Sequence, residues 1–346
     1  MTSFSRLCLC SLLLAGTLRA AEPIPVKVAV VVTFEVGADR GDRPGEFQYW
    51  VERENWTKSI DVPGVDHKVL TDGAGTIGVV SGATVRSSNQ IMALALSGLF
   101  DFSKTYWLVN GIAGVNPSMA SIGSAAWAHY VIDGDVAYEI DSREAPASWP
   151  YAIIPIGSKV PNQKPTYEGW EPDVMAYRLN PGLVSWAYGL TKDTPIPDTD
   201  EMKALRSLYE GFPNAQKAPF VLYGETFGSC RYWHGKALTQ WAIDWTRLWT
   251  AGKGEMAMSD MEDQGIVAAL TRLSKMGKLD FQRVLFLRTA SNYCMPAPKM
   301  DVNKSLHSDY AGYLPSLEAA YRVGSRVSHE IVGHWDTYRD APPSAP

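Results

Sequence analysis

Residues Thr105–Gly123 read TYWLVNGIAGVNPSMASIG. Tyr106, Trp107, Leu108 and Val109 form a short apolar run of the kind that fills a buried strand. From Asn110 the bulky residues give way to Gly111, Ile112, Ala113 and Gly114, which predicts a strand ending in a glycine loop. Glycine is used where backbone turns with positive φ or must approach another group closely. At the carboxyl end of a strand in an open α/β sheet such a loop is a natural ligand floor. A plain tight turn would use the same residues.

Outward from this segment the chain alternates strand-like and helix-like stretches. Val26–Val32 is dominated by β-branched residues, as in a strand covered on both faces. After it comes a loop, Thr33–Gly45, and then Glu46–Glu52 as the opening of a helix. Val69-Leu70 and Ile77–Val80 predict further strands, the second ending in Ser81-Gly82, and Ser87–Leu99 predicts a helix. Ser148–Thr199 is rich in proline and predicts an irregular excursion with one short helix around Asp173–Asn180. The sheet resumes at Pro219–Gly224. A helix over Met261–Lys275, a strand over Val284–Thr289 and a long amphipathic helix over Leu314–Trp335 complete the pattern. With no repeat or low-complexity linker, residues 22–346 read as one α/β domain.

Met1–Ala21 carries Arg6, a leucine-rich core over Leu7–Gly16 and small residues suited to cleavage, the pattern of a secretory leader. Its core is shorter than the roughly twenty residues of a spanning helix, and no later segment is long and apolar enough to serve. The expectation is a soluble secreted or periplasmic protein. Loss of Arg6 and Arg19 moves the formal charge from -5 to -7, which argues against a nucleic-acid partner. Cys8 and Cys10 lie in the leader, leaving Cys230 and Cys294, whose pairing the spacing does not decide. Asn55-Trp56-Thr57 and Asn303-Lys304-Ser305 are sequons of use only in a eukaryotic host. His329 and His334 stand five apart. Zinc-protease histidines stand four apart on one helical face, so this pair diverges and predicts no metal site. Gly254–Met258 reads as core or loop methionine. No cofactor is expected.

Four ordered segments carry a family resemblance. Val79–Gly82, the strand into Val109–Gly114, and Ile122-Gly123 with Asp133 and Asp135 beyond resemble the nucleoside phosphorylase and methylthioadenosine nucleosidase superfamily. Gly224-Glu225-Thr226-Phe227 is similar to its G-D-x-F segment, Asp260-Met261-Glu262 to its acidic-Met-Glu segment, and Arg288–Asn292 to its R-x-x-S-D segment. GIAGVNP, SDMEDQG and RTASNY are shared with the group labelled purine nucleoside permeases, a likeness that covers nearly the whole mature chain. The resemblance implies a three-layer α/β domain with a central mixed sheet flanked by helices, and a purine nucleoside (adenosine, guanosine or inosine) as ligand. A homo-oligomer is left open.

Because the matching segments carry chemistry in the superfamily, the resemblance favours an enzyme over a pure binder that supports nucleoside uptake. Breaking a purine–ribose bond builds positive charge on the sugar and negative charge on the base. Met261 and Glu262 would hold the ribose, the carboxylate accepting from two hydroxyls. Phe227 would stack on the purine. Ser81, Gly82, Asn110, Gly111, Gly114 and Ser291 complete the expected binding set. Asn292 stands where the nucleosidases have aspartate, and an amide can donate a hydrogen bond but not a proton. Val109-Asn110 resembles the nucleosidase sequence, where hexameric phosphorylases have arginine just before the glycine loop, so water is favoured over phosphate as nucleophile. Glu46 is the expected general base, with Glu35 the runner-up. Either could instead be a helix-terminal charge. Arg40, Arg43 and Arg86 keep the phosphorylase alternative open.

Overall fold

The computed structural model describes residues 22–165, 175–308 and 311–344. The expected leader, residues 1–21, lies outside them. Val28–Val32 (β1) is wholly buried. It is followed by helix Gln48–Arg53 (α1), strands Lys58–Ile60 (β2), Val69–Thr71 (β3) and Thr76–Val80 (β4), and helix Val85–Leu96 (α2). Strands Tyr106–Val115 (β5), Ala125–Trp127 (β6), Tyr130–Asp133 (β7) and Ala176–Arg178 (β8) precede helices Pro181–Thr191 (α3) and Asp200–Ser207 (α4). Strands Val221–Tyr223 (β9) and Glu225–Gly228 (β10) lead to helix Lys236–Trp249 (α5) and strand Met256–Asp260 (β11). Then come helix Asp263–Lys275 (α6), strand Val284–Tyr293 (β12), helices Val302–Leu306 (α7) and Tyr313–Gly333 (α8), and the short helix Trp335–Tyr338 (α9).

Among the described residues these 12 strands form one mixed sheet in the order β8-β7-β10-β11-β5-β1-β4-β3-β2, with β12 also on β5, β6 on β12 and β9 on β6. Strand alternation shows that both faces are covered. Thr289 donates from its hydroxyl to the Ser316 carbonyl of α8 at 2.9 Å, whereas its neighbour Arg288 reaches Asp263 at the start of α6. Successive side chains leave a strand on opposite faces, so α8 and α6 lie on opposite sides. The arrangement is helix, sheet, helix, as expected.

Two local expectations are corrected. No glycine loop follows Val109: β5 continues to Val115 because β12 runs beside it in parallel, pairing from Trp107 to Val115. What stops at Val109 is the pairing with β1. The glycines answer to close approach instead. A Cβ on Gly111 would overlap the Arg288 guanidinium and the Glu46 carboxylate, and one on Gly114 would lie 3.0 Å from Ser259 Oγ and 3.2 Å from Asn292 Nδ2. The helix expected around Asp173–Asn180 falls partly on residues 166–174, outside the described set, and its remainder is strand β8. The helix begins instead at Pro181. Asn180 caps it, accepting from the Gly182 and Leu183 amides, and proline fits the first turn because its missing N–H has no helical partner there.

Met256 and Met258 are buried in β11. His329 contacts Glu54 and His334 contacts Glu330, and neither belongs to a metal-like cluster among the described residues. Cys230 and Cys294 are both free thiols. No described helix is long and apolar enough to cross a membrane.

Candidate active site

Where β1 and β5 part company, the Glu46 side chain takes the place of the missing ladder. One carboxylate oxygen accepts from the Thr33 amide at 2.6 Å, and the other accepts from the Ile112 amide at 2.7 Å. The loop before α1 thus delivers a buried carboxylate, 5% exposed, into the fork between two strand ends. Glu262 arrives from the other side, in the turn between β11 and α6. Its Oε1 accepts from the Thr33 hydroxyl at 2.6 Å and lies 2.8 Å from Arg288 Nη2, while its Oε2 accepts from the Met261 amide at 3.0 Å.

Arg288 ties the cluster together. It is 1% exposed. Its Nε donates to Asp263 Oδ2 at 3.0 Å and its Nη2 to Asp263 Oδ1, the two-pronged geometry that suits a guanidinium to a carboxylate. Its Nη1 stands 3.8 Å from Glu46 Oε1 and has no hydrogen-bond partner among the described residues. Asp260 closes the group by accepting from the Glu262 and Asp263 amides and from the Thr226 hydroxyl.

One cation faces several buried carboxylates, so protons must be retained. Burial pushes the Glu262 carboxyl up to about 7, Arg288 pulls it back, and Asp260 and Glu46 push it further up. Burial likewise raises Glu46, against the pull of Arg288 and of the Ile112 and Thr33 amides. Asp263 is raised by burial too, with Arg288 opposing. For Arg288 burial works against the charge, but Asp263, Glu262 and Asp260 outweigh it and the guanidinium stays protonated. Asp260, Glu262 and Asp263 could each offer an oxygen to a cation, all within 4.8 Å of one another. The guanidinium already supplies the positive charge there, against two of the three.

The cluster forms one wall of a cavity of about 460 Å³. Thr33, Glu46, Asp260, Met261 and Glu262 line it on the side of the cluster, and Phe34, Val36, Ile112, Trp233 and Tyr313 are the large apolar residues of its lining. Gly114, Ser259, Ser291, Asn292, Tyr232, Arg43 and Arg231 also reach it. The volume falls within the usual range for a small-molecule site.

The expected site residues divide. Glu46, Met261, Glu262, Gly114, Ser291 and Asn292 all line the cavity, and Gly111 packs its backbone against Glu46 and Arg288. Glu35 does not line it; its carboxylate accepts from the Val36, Gly45, Phe47 and Gln48 amides and so closes the turn into α1. Asn110 points to the other face of the sheet, accepting from Trp50 Nε1 and donating to the Ala320 carbonyl of α8. Phe227 is fully buried against Trp241, its ring centroid 4.8 Å away. Ser81 is buried with its hydroxyl on the Gly82 carbonyl, and neither residue lines the cavity. Of the three arginines only Arg43 does. It is exposed, lies 5.2 Å from the centre of the Tyr313 ring, and has no carboxylate partner among the described residues. Arg40 donates to the Trp56 carbonyl.

Known proteins share this fold. A 5′-methylthioadenosine/S-adenosylhomocysteine nucleosidase from Colwellia psychrerythraea, solved with adenine, superposes with a TM-score of 0.50 at 16% identity, covering 89% of this chain and 95% of that one. The putative enzyme of the same name from Francisella philomiragia gives 0.51 at 12% identity, over 89% and 99%. At such identities the likeness establishes the architecture. In sequence, the chain is 29% identical over 303 residues to a purine nucleoside permease of Candida albicans, covering 83% of this chain and 73% of the relative. It is also 29% identical over 256 residues to a probable purine nucleoside permease of Schizosaccharomyces pombe, covering 72% and 73%. The profile of one family, purine nucleoside permease (NUP), matches residues 25–343, nearly every described residue, and the chain belongs to that family.

Proposed function

We propose that this protein binds a purine nucleoside in the cavity beside Glu46 and Glu262 and cleaves its N-glycosidic bond with water. The observation that carries the reading is the pairing of two buried carboxylates, fixed by Thr33 and Arg288, on one side of a cavity whose large apolar residues include Phe34, Trp233 and Tyr313. Such a wall suits a ligand with a hydroxylated sugar at one end and a flat base at the other. Glu262 accepts from the ribose hydroxyls. Glu46 takes a proton from water as the oxygen attacks C1′, and the C1′–N9 electron pair leaves with the base, which picks up a proton from solvent at the cavity mouth. Arg288, behind the cavity wall, acts through the two carboxylates by keeping a positive charge beside them. The leader-like residues 1–21 support action outside the cytoplasm.

Two further readings each rest on one observation. Asn292 in place of an acid supports a binder that retains the intact nucleoside. Arg43, without a carboxylate partner among the described residues, supports phosphate as nucleophile. The three separate on incubating purified protein with adenosine, guanosine, inosine and uridine, with and without phosphate, and assaying base and sugar. Hydrolysis yields free ribose without phosphate. Ribose 1-phosphate formed only with phosphate overturns it in favour of phosphorolysis, and stoichiometric retention of intact nucleoside overturns it in favour of binding alone.

The pH dependence has a definite sign. With the Glu262 carboxyl at about 7 against an ordinary 4.5, the folded protein keeps a proton that the unfolded chain gives up. This group's contribution to stability is therefore full below pH 4.5 and lost as pH rises through about 7. Ligand affinity runs the other way, because ribose hydroxyls donate best to the carboxylate. Affinity should fall up to about tenfold per pH unit below about 7 and level off above it, with release of about one proton on binding at pH 6. Calorimetry in two buffers of different ionisation enthalpy measures this, and Glu262→Gln should flatten the profile. A profile unchanged in that variant would remove Glu262 from the ribose.

A further inference from the structure

The residues on either side of Glu46 are tied to one side chain. Glu35 accepts through Oε1 from the Val36 amide at 2.8 Å and from the Gly45 amide, and through Oε2 from the Phe47 amide at 2.9 Å and the Gln48 amide at 2.5 Å. The Glu46 amide itself donates to the Phe34 carbonyl at 3.0 Å. Capping α1 would call only for the Phe47 and Gln48 amides. The bonds to Val36 and Gly45 join the other limb of the loop, so one carboxylate closes its neck and holds the chain before and after Glu46. Beyond that neck residues 37–43 are largely exposed, and such a segment on its own gives a side chain little fixed support.

Resting on the hydrolytic reading above, we infer that Glu35 is the positioning residue of the base: it stands outside the cavity and fixes the turn that sets the Glu46 carboxylate against the attacking water. The Thr33 and Ile112 amides hold that carboxylate from the front, and Glu35 holds its backbone from behind. The position demands a carboxylate. Four donors converge on two oxygens, two on each, so a glutamine satisfies one pair and sets its NH2 against the other. An aspartate keeps the charge but is one methylene too short to reach both pairs. Either change frees the chain on one side of Glu46. A base must stay within hydrogen-bond reach of the proton it takes, and a misplacement of about 1 Å costs up to about a hundredfold in rate. The ribose hydroxyls are held by Glu262, from the turn before α6, and do not depend on this loop neck.

The test is steady-state hydrolysis of adenosine, guanosine and inosine in phosphate-free buffer by the wild-type protein, Glu35→Gln, Glu46→Gln and the double variant. Glu35→Gln should lower kcat at least about tenfold and keep KM within about threefold. In the Glu46→Gln background the same change should cost less than about twofold, because the group that Glu35 positions is already gone. A residue that only supports the fold would lower the rate alike in both backgrounds. Glu35→Asp, alone and with Glu46→Gln, carries the same comparison if circular dichroism shows Glu35→Gln unfolded. A kcat within about twofold of wild type in the single Glu35 variant, or an equal loss in both backgrounds, overturns the inference and leaves the hydrolytic reading intact. Failure of the wild type to cleave any of the three nucleosides overturns both.

Discussion

Arg288→Met is expected to lower the free energy of unfolding by about 3–5 kcal/mol at pH 8, the largest stability loss among the residues of the site. Methionine matches the length of the stem and packs in the same volume, so the loss reports the charge. Without the guanidinium, Asp263 loses both prongs of its ion pair, and Glu262 and Glu46 lose their one nearby cation. Each is at most 5% exposed, so water cannot take over. The carboxyls must then bind protons, which raises them further above their unfolded values. Stability held by a raised carboxyl is present at low pH and lost as pH rises, so the deficit should be smaller at pH 5 than at pH 8. Arg288→Lys keeps a charge but cannot grip Asp263 with two parallel donors while touching Glu262, and should lose less. Urea unfolding of the three proteins at both pH values measures this. A loss below about 1 kcal/mol for Arg288→Met at pH 8 would mean that the carboxylates do not depend on it.

That Arg288 is the hub was only half visible in the sequence. It stands inside Val284–Thr289, a run of large apolar residues that reads as a buried strand, and a charge in such a strand must find a partner. Asp260, Glu262 and Asp263 crowd one turn of SDMED, more acids than a ribose needs. Those two facts together would have predicted the pair. Nothing in the order of residues says which acid Arg288 grips, because that depends on the alternation in β12 and on where α6 begins. The sheet itself was legible, since β1 and the first four residues of β5 and of β12 are runs of apolar residues. The end of β5 was not, because glycine at a close approach and glycine in a loop are written alike.

The same ambiguity governs the carboxylates and aromatics. Glu35 and Glu46 both follow β1 and both could serve as a base, yet Glu35 is turned back onto four backbone amides whereas Glu46 reaches between two strands. A difference of that kind lies in the path of the loop. Phe227 is directed by its strand into the aromatic nest under α5, and Trp233, which packs edge-on against it with centroids 5.9 Å apart, lines the cavity in its place. A tripeptide such as Arg231-Tyr232-Trp233 in an irregular segment carries no periodic signal.

Glu46→Gln should slow nucleoside hydrolysis at least about a hundredfold in phosphate-free buffer, in line with general-base contributions. The amide keeps the shape and one acceptor but cannot take a proton from water. Its nitrogen must face either the Thr33 or the Ile112 amide, donor against donor, at a cost of about 1–3 kcal/mol in stability. The rate is therefore compared where circular dichroism shows both proteins folded. Nucleoside affinity should change by no more than a few-fold, because the ribose hydroxyls are held by Glu262 rather than Glu46. That division between a lost rate and a kept affinity is what distinguishes a base from a ribose anchor. Burial also raises the Glu46 carboxyl, so the wild-type rate should fall at acid pH as the base becomes protonated, with the fall beginning above the ordinary carboxylate range. Hydrolysis by Glu46→Gln at close to the wild-type rate would place the base elsewhere in the cavity, with Asp260 the first residue to replace. Cleavage that needs phosphate and yields ribose 1-phosphate would reassign the chemistry. An exposed cation such as Arg43 would then have to turn inward to meet a dianion beside Glu46 and Glu262, and Arg43→Ala would be the variant to raise the KM for phosphate.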